Sequence, residues 1–369
     1  GDPAPLATLV NSTPTAFHAA HYAGIVSELA MRRRLIEMSA RIAELAADAS
    51  REREEVLGQA MSLFRAIADR GQSDIITSNV VAGEFGDALQ RWVANAGEVW
   101  GFPTGLRDLD ALTGGLEREL VIVAGRPSHG KSALMLQVAR TLAEHGHGVL
   151  FFSLEMSVQS LMMRLDCLIT RIDSALVRSG RLSSEDEARI YNALAHISQL
   201  PLYWYAKGAP SASEIATQVA RARMQHDIDA VVVDYLQLMS SGGGRRENRN
   251  LELGEITRAL ANLAHEEGLL VLAGSQLNRS IESRDVKLPR LADLRESGNI
   301  EQDADKVLFV HRPELQFRQE MRPVPPEVAG RALLILAKNR NGPANVGLKD
   351  VVFREQWGEF LDAARDEQK

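Results

Sequence analysis

The sequence predicts an α/β fold in which a mainly parallel sheet is flanked by helices and preceded by a helical N-terminal hairpin and a linker helix. Three observations predict it. From about Gly101, short runs rich in Val, Ile, Leu and Phe alternate with longer amphipathic segments, an order typical of a parallel, helix-covered sheet. The residues before it have helical periodicity, and a polar stretch separates the two regions. We therefore expect a helical part at 1–70, a linker with its own helix at 71–100 and the α/β domain at 101–369.

The N-terminal part carries apolar residues at alternating steps of four and three, which is the spacing of one helix face. Two segments follow this pattern, and we expect them to form a helical hairpin. Because two helices bury little by themselves, the hairpin is expected to end a larger N-terminal domain or to pack against another subunit. The residues on the two stripes are Met31, Leu35, Met38, Ile42 and Leu45, and then Leu57, Ala60, Phe64 and Ile67.

The polar stretch DRGQSDIITSN, at 69–79, is interpreted as a linker. The segment GEFGDALQRWVANAG that follows places Phe85, Leu89, Trp92 and Val93 on one helical face. Two interpretations remain open for this short helix. It packs on its own α/β domain, or it docks onto a neighbouring subunit.

The strand candidates of the α/β domain are LVIVA, VLFFS, LYWY, AVVVD, LLVLAGS, KVLFV, RALLILAK and VVFRE. Helical segments separate the first five, which suits parallel neighbours. The last three follow one another without a helix of comparable length. We therefore expect an antiparallel edge or extension of the sheet there.

Composition limits the function classes. The net charge of -7 argues against a chain coated with basic residues for indiscriminate nucleic-acid binding, so any DNA contact must be local. The single Cys167 excludes an internal disulfide, and we expect no structural metal, with His145 and His147 on a turn surface. No apolar run reaches the length of a membrane span, and the first residues lack a signal-peptide pattern. We expect a cytoplasmic protein with no membrane partner.

Residues 125–132 read GRPSHGKS, between a predicted buried strand and a predicted helix. In that context the two glycines let backbone N–H groups converge on phosphate oxygens, the lysine supplies a compact charge, and the serine hydroxyl can bind Mg²⁺. The spacing predicts a phosphate-binding loop for a nucleotide. Its residues are Gly125, Arg126, Pro127, Ser128, His129, Gly130, Lys131 and Ser132.

Three other predicted strands end in polar residues, at Glu155, Asp234 and Gln276. Ligands of open α/β sheets collect at the carboxyl ends of strands. Asp234 suits the Mg²⁺ shell, with a cap or turn residue as the alternative. Glu155 can deprotonate an attacking water, with a cap of the helix near Val158 as the alternative. Gln276 can sense the terminal phosphate, and the alternative is a satisfied loop amide.

Several motifs in one order carry a resemblance to a known family. They are FPTGLRDLDALTGGLERELVIVAGRPSHGKS, FFSLEMS, VVVDYLQLM, GSQLNRS, DLRESGNIEQDAD and AKNRNGP. Together they resemble the DnaB-like replicative hexameric helicases, which are built on a RecA-type ATPase core. The likeness covers about Gly101 to Arg354. NSTPTAFHAAHYAGIVSELAMRRRLIE resembles the last hairpin of that family's N-terminal collar domain, so the resemblance implies a RecA-like sheet after the end of a collar domain.

The resemblance implies a DNA-contacting role for LRESGN, with Arg295, Glu296 and Gly298 lining a central channel. An arginine and a backbone N–H can each hold one phosphate of single-stranded DNA, and Glu296 would orient the arginine. A second candidate follows from the residues themselves. The loop GGGRRENRN combines mobile glycines with Arg245, Arg246 and Arg249, and the alternative is a solvated basic loop.

The resemblance also assigns Lys338 and Arg340 to the γ-phosphate held by a neighbouring subunit. From the residues alone these are two cations on the same side of a strand end, which are equally compatible with exposed charges. An arginine supplied in trans stabilises the charge of the phosphoryl-transfer transition state, so hydrolysis would depend on ring assembly. His129 departs from the family pattern, which often has an apolar or small residue there, and puts only the packing of the loop in doubt.

The sequence therefore predicts an ATP-driven ring motor, a homo-hexamer that translocates on single-stranded DNA and displaces the complementary strand. ATP or another nucleoside triphosphate and Mg²⁺ are the expected cofactors. The resemblance implies 5′ to 3′ movement, and a primase and a helicase loader are candidate partners. A RecA-like recombination ATPase and a non-translocating, ATP-gated scaffold on DNA remain as alternatives.

Overall fold

The computed structural model describes residues 19–48, 50–51, 56–61, 63, 77–94, 99–240, 249–284, 287–344 and 346–363. The chain divides into two compact units, Gly1–Gln90 and Arg91–Lys369. The three-part division at residues 70 and 100 stays a prediction. Within the described residues, no helix is both long enough and apolar enough to cross a membrane.

The first unit is helical, as predicted. Its long helix α1 (Ala19–Ala47) contains the first apolar stripe, and residues 56–61 and 63 are helical as well. Asp48 ends α1 and accepts hydrogen bonds from the Ser50 hydroxyl and the Arg51 side chain. These bonds lower the pKa of Asp48 to about 2. Arg51 also donates to Gln59, at 2.9 Å, so the turn is tied to the helical segment that follows it.

Helix α2 (Ser78–Ala94) begins five residues before the predicted segment, which corrects the end of the expected linker. The N–H groups of Val80 and Val81 donate to the carbonyl of Thr77, and this closes the first turn. Phe85, Leu89, Trp92 and Val93, predicted to share one face, are 41% to 70% exposed.

The second unit is built around a sheet whose strands are rich in β-branched and aliphatic residues, which suit a buried pleated surface. The strands are β1 (Leu120–Gly125), β2 (Val149–Ser153), β3 (Leu202–Tyr205), β4 (Ala230–Asp234), β5 (Leu270–Gln276), β6 (Lys306–His311), β7 (Arg331–Asn339), β8 (Val346–Arg354) and β9 (Glu359–Asp362). In the described part of the chain they form one nine-stranded sheet in the order β3-β2-β4-β5-β1-β6-β7-β8-β9.

The parallel part and the antiparallel part lie where the sequence predicts them. The strands from β3 to β6 are parallel to their neighbours, and β6, β7, β8 and β9 pair antiparallel. The strand β9 was not predicted, because it is only four residues long and directly follows the turn that ends at Gly358.

Helices cover both faces of the sheet, because successive side chains of each strand point to opposite faces. One core cluster contains Val121 and Val123 of β1, and the other contains Leu120 and Ile122. The remaining helices are α3 (Arg107–Thr113), α4 (Lys131–Glu144), α5 (Val158–Thr170), α6 (Ser174–Ser179), α7 (Ser184–Ile197), α8 (Ala212–Arg223), α9 (Arg249–Glu267), α10 (Gly298–Asp303) and α11 (Glu314–Gln319). Buried side chains of α4, α5 and α7 join the first cluster, and those of α8 and α9 join the second.

The register aligns the polar residues that end the parallel strands. Gly125 at the end of β1 pairs with Gln276 at the end of β5, and Ser153 at the end of β2 pairs with Asp234 at the end of β4. The strand ends that the sequence singles out therefore meet along one edge of the sheet.

Candidate active site

A cavity of about 690 Å³ opens at the carboxyl edge of the parallel strands. That volume lies within the range of small-molecule sites. Residues from the phosphate-loop motif line it, namely Gly125, Arg126, Pro127, Ser128, Gly130, Lys131 and Ser132, together with Glu155 and Gln276. The opposite wall includes Phe353, Glu355, Gln356, Trp357 and Gly358, from the end of β8 and the turn before β9.

Residues 125–132 form a tight loop from β1 into α4. Gly130 lies just before the helix in the left-handed region, with φ of 97°. A Cβ there would come within 2.8 Å of the Phe360 ring, so the close approach of β9 also requires glycine. The first turn of α4 follows at Lys131, and its free N–H groups and positive dipole end face the cavity. This is an anion-binding geometry.

Lys131 and Asp234 come together beneath this loop. Their side chains, 11% and 3% exposed, place Nζ and Oδ1 3.8 Å apart. Burial lowers the pKa of Lys131, an effect that the nearby Asp234 and Glu155 oppose. The Oδ1 atom of Asp234 is buried without a hydrogen-bond partner among the described residues. A buried carboxylate oxygen with unused capacity, on the strand beside the Ser132 hydroxyl, fits the hard-oxygen environment of Mg²⁺.

Glu155 follows β2 and is exposed at the cavity. The alternative of a helix cap is wrong, because Ser157 is the N-cap of α5 and its hydroxyl accepts the Ser160 N–H. Capping does not explain Asp234 either, since it is the last residue of β4 and Tyr235 precedes the short 3-10 helix at Leu236–Leu238.

Gln276 is held by its backbone. Its N–H donates to the Gln237 side chain at 3.1 Å, and its carbonyl accepts from the same side chain at 3.3 Å. This exchange fixes the end of β5 while the Gln276 side chain lines the cavity. The arrangement suits a group that responds to a bound ligand.

Sequence reasoning missed several cavity residues. Arg164 of α5 and Arg178 of α6 line the cavity, and burial followed by the charge of Arg178 lowers the pKa of Arg164. Arg312 follows β6 and places its guanidinium 4.5 Å from the centre of the Phe353 ring. A lone arginine on a helix or after a strand carries no spacing signal, so only the fold could identify these residues.

His129 is part of the predicted loop, but its side chain is absent from the cavity lining formed by the described residues and packs behind the loop. Its Nδ1 accepts the Arg312 N–H at 2.9 Å, and its ring stacks on His311 with centroids 5.1 Å apart. The Arg312 side chain donates to the Ser128 carbonyl at 3.1 Å. The departure from the family pattern is thus accommodated by a histidine pair that fastens the loop to the end of β6.

The histidine pair gives a pH prediction. Burial lowers the pKa of His129 to about 3 and that of His311 to about 4, so both rings stay neutral in the folded protein at pH 5. In the unfolded chain they take up protons near pH 6.5, so stability should fall as the pH drops below that value. Each histidine should contribute a loss of about 2 kcal/mol between pH 7 and pH 5.

Two variants of His129 test this prediction by denaturant unfolding at both pH values. His129→Leu should cost about 1–3 kcal/mol at pH 7, because the buried Arg312 N–H loses its acceptor. His129→Asn offers an acceptor oxygen and should cost less. Both variants should lose the His129 share of the acid sensitivity. An unchanged difference between pH 7 and pH 5 would contradict a neutral His129.

Other predicted site residues lie away from the cavity. Lys338 and Arg340 lie at the amino end of the parallel strands, since Lys338 pairs with Val307, and Val307 pairs with Ile122. Arg295 and Glu296 belong to the 3-10 helix Leu291–Ser297, and Gly298 begins α10. Arg249 begins α9. Arg245 and Arg246 lie outside the described residues.

A mainly parallel sheet with a phosphate loop after its central strand, and with acidic and amide side chains at the adjoining strand ends, defines a RecA-type P-loop ATPase. The family model of the DnaB-like helicase C terminal domain matches residues 101–362. The chain therefore belongs to the DnaB-like replicative helicases, a family of ATP-hydrolysing DNA helicases.

Individual relatives agree with this assignment. The replicative DNA helicase DnaB of Geobacillus stearothermophilus is 35% identical over 364 residues, which are 98% of this chain and 78% of the relative. A solved structure titled "The Structure Of A DnaB-Like Replicative Helicase And Its Interactions With Primase" is similar over 97% of this chain and 82% of its own, with a TM-score of 0.74 and 28% identity. A second solved structure, of an isolated ATPase domain, is similar over 79% of this chain and 99% of its own, with a TM-score of 0.69 and 29% identity.

Proposed function

We propose that this helicase works as a homo-hexameric ring that hydrolyses ATP, translocates on single-stranded DNA and displaces the complementary strand, in the 5′ to 3′ direction that the family resemblance implies. The observation that carries the ring is the position of Lys338 and Arg340. They lie at the opposite edge of the sheet from residues 125–132, about five strand residues or roughly 15 Å away. Such cations suit a neighbour's phosphates better than those of their own chain.

The cavity residues divide the work of hydrolysis. The loop N–H groups and Lys131 hold the β- and γ-phosphates, and Glu155 accepts a proton from the attacking water. Ser132 and Asp234 would hold Mg²⁺, which supplies charge neutralisation on the phosphates when bound. Gln276 contacts the terminal phosphate and reports its presence through β5. Arg164 and Arg178 add positive charge on the α5–α6 side, while Phe353, Arg312 and Trp357 offer flat faces for the nucleobase.

The neighbour completes each site in this proposal. Lys338 and Arg340 reach the γ-phosphate in trans and stabilise the charge that develops on it. The exposed apolar face of α2 supports assembly, since an amphipathic helix with Phe85 and Trp92 at the surface suits docking on an adjacent subunit.

DNA contact is assigned to the segment around Arg295, Glu296 and Gly298, and to the basic loop of Arg245, Arg246 and Arg249. Local basic segments reconcile the net charge of -7 with binding to a polyanion. We further propose that the protein acts in the cytoplasm with a primase and a helicase loader as partners. The similar structure named for its interactions with primase supports the former.

The DNA assignment is tested with Arg295→Ala. Affinity for single-stranded DNA and DNA-stimulated hydrolysis should both fall, because one phosphate contact is lost, while basal hydrolysis and assembly stay near wild type. Measured over a salt series, the slope of log affinity against log salt should become shallower by about one unit. Arg290→Ala, in the same region of the chain, is the matched control. If affinity and slope do not change in Arg295→Ala, this segment does not face the DNA.

Two rival functions make different predictions. A recombination ATPase of similar fold would assemble an open filament on DNA, whereas the proposed motor forms a closed six-fold particle. An ATP-gated scaffold would bind nucleotide without turnover, and the cavity position of Glu155 and Gln276 supports turnover. Native mass with an ATP analogue and single-stranded DNA, followed by an unwinding assay on a forked duplex, separates the three.

A further inference from the structure

Arg340 is held by a carboxylate at the foot of the central strands. Its Nη1 donates to Oδ1 of Asp305 at 2.6 Å, and its backbone N–H donates to the Asp305 carbonyl at 3.0 Å. Its side chain is nevertheless 59% exposed, and Nε and Nη2 make no hydrogen bond to the described residues. One arm of the guanidinium is anchored, and the other donors point outward.

Asp305 is itself fixed from several sides. Its side chain is 5% exposed, and Oδ2 accepts from the Leu120 N–H and from His265 Nε2, both at 3.0 Å. Its own N–H donates to the Leu120 carbonyl at 2.9 Å. Burial would raise the pKa of Asp305, but the hydrogen bonds from Leu120, Arg340 and His265 hold it below its usual value. The carboxylate is therefore a charged, rigid support attached to the first residue of β1.

Lys338, two residues earlier on β7, is in a different state. Its Nζ donates to the carbonyls of Glu301, Gln302 and Ala304, at 2.7, 3.1 and 2.6 Å. An ammonium group has three donors, and all three are used to hold the end of α10. Of the two cations, Arg340 alone keeps donors available for an external phosphate in this arrangement.

We propose that Asp305 is the positioning residue of the trans-acting arginine: it holds Nη1 so that Nε and Nη2 of Arg340 are presented, already oriented, to the γ-phosphate of the adjoining subunit. The inference rests on the proposed function, in which Arg340 acts in trans. A guanidinium that is oriented before the substrate arrives loses less conformational freedom in the transition state. Asp305 touches no nucleotide and acts only through Arg340.

Asp305→Asn separates the two sides of the carboxylate. The amide oxygen can still accept from Leu120 and His265, and the amide NH₂ then faces the guanidinium, donor against donor. In rings of this variant alone, kcat should fall by about 100-fold, because a misplaced catalytic group costs roughly that much. The KM for ATP should change by less than about threefold, since the phosphate loop is intact. Asp303→Asn, at the end of α10, is the matched control and should stay near wild type.

Mixed rings give a readout that a structural defect would not produce. Where the intact phosphate loop of an Asp305→Asn subunit meets the intact Asp305–Arg340 unit of a Lys131→Ala subunit, one competent interface results. In a random equal mixture about a quarter of the head-to-tail interfaces have this composition, so basal hydrolysis should recover to about that fraction. A defect that spreads from Asp305 through Leu120 to its own phosphate loop would not be complemented.

The outcomes are distinguishable. If Arg340→Ala complements Lys131→Ala but Asp305→Asn does not, this inference is wrong and the trans-acting arginine stands. If neither complements, the proposed trans function itself fails. Wild-type kcat in Asp305→Asn rings would also overturn the inference.

A second variant keeps the test valid if Asp305→Asn does not fold. Arg340→Lys can still pair with Asp305 but has no second arm to present, so it should be as inactive as Arg340→Ala. More than about a tenth of wild-type kcat in Arg340→Lys would show that the oriented fork is not required.

Discussion

Glu155→Gln is expected to lower the rate of ATP turnover by about 10³-fold while nucleotide affinity stays within a few-fold of wild type. The substitution removes the proposed base and leaves the shape of the side chain and the phosphate loop unchanged. Turnover is measured with single-stranded DNA present and absent, and affinity by direct titration of the nucleotide.

The position of Glu155 is the reason for expecting so large an effect. It lines the same cavity as Lys131 and has no capping task, because Ser157 caps α5. Lys131→Ala should weaken both affinity and turnover, since it removes a phosphate ligand. Glu355→Gln is the matched control, a carboxylate of the same cavity that is paired with Arg312 and Arg318 and should change turnover only a few-fold. Turnover near wild type in Glu155→Gln would remove its assignment as the base.

Rings of pure Lys131→Ala and rings of pure Arg340→Ala should each lose nearly all hydrolysis, because every interface lacks one component; a trans-acting arginine contributes about 10³- to 10⁵-fold. When the two proteins are dissociated and assembled together, one class of interface has a wild-type phosphate loop and a wild-type arginine. Basal hydrolysis should then recover to about a quarter of the wild-type rate in an equal mixture. Unwinding is expected to recover less, because a motor that needs consecutive sites stalls at the first defective one.

The composition of the mixed rings is measured by native mass, which also reports the six-fold stoichiometry. A mixture of wild type with Arg340→Ala gives the reference for dilution of active sites. Mixed rings shown to contain both subunits, yet no more active than either parent, would mean that Arg340 does not act across the interface. That result would leave the ATPase fold intact and weaken the ring mechanism.

Much of the catalytic edge was predictable because its determinants are local in sequence. The glycines, lysine and serine of residues 125–132 lie within eight positions, and hydrophobic runs mark the strands that end at Glu155, Asp234 and Gln276. Parallel strands share one carboxyl edge, so placing these residues together needed only the α/β pattern. The antiparallel extension was predictable for the same kind of reason, since no helix of comparable length separates the last strands.

The roles of the arginines and histidines depended on contacts between distant parts of the chain. Arg312 reaches the Ser128 carbonyl across 184 positions, and His129 meets His311 only because β6 lies beside β1. The pairing of Asp305 with Arg340 likewise requires β7 to run antiparallel to β6 and return to its starting edge. Periodicity and spacing specify which segments become strands and which residues end them. They do not specify which strands become neighbours, because burial and hydrogen bonding of the whole sheet decide that order, and with it which buried charges find partners.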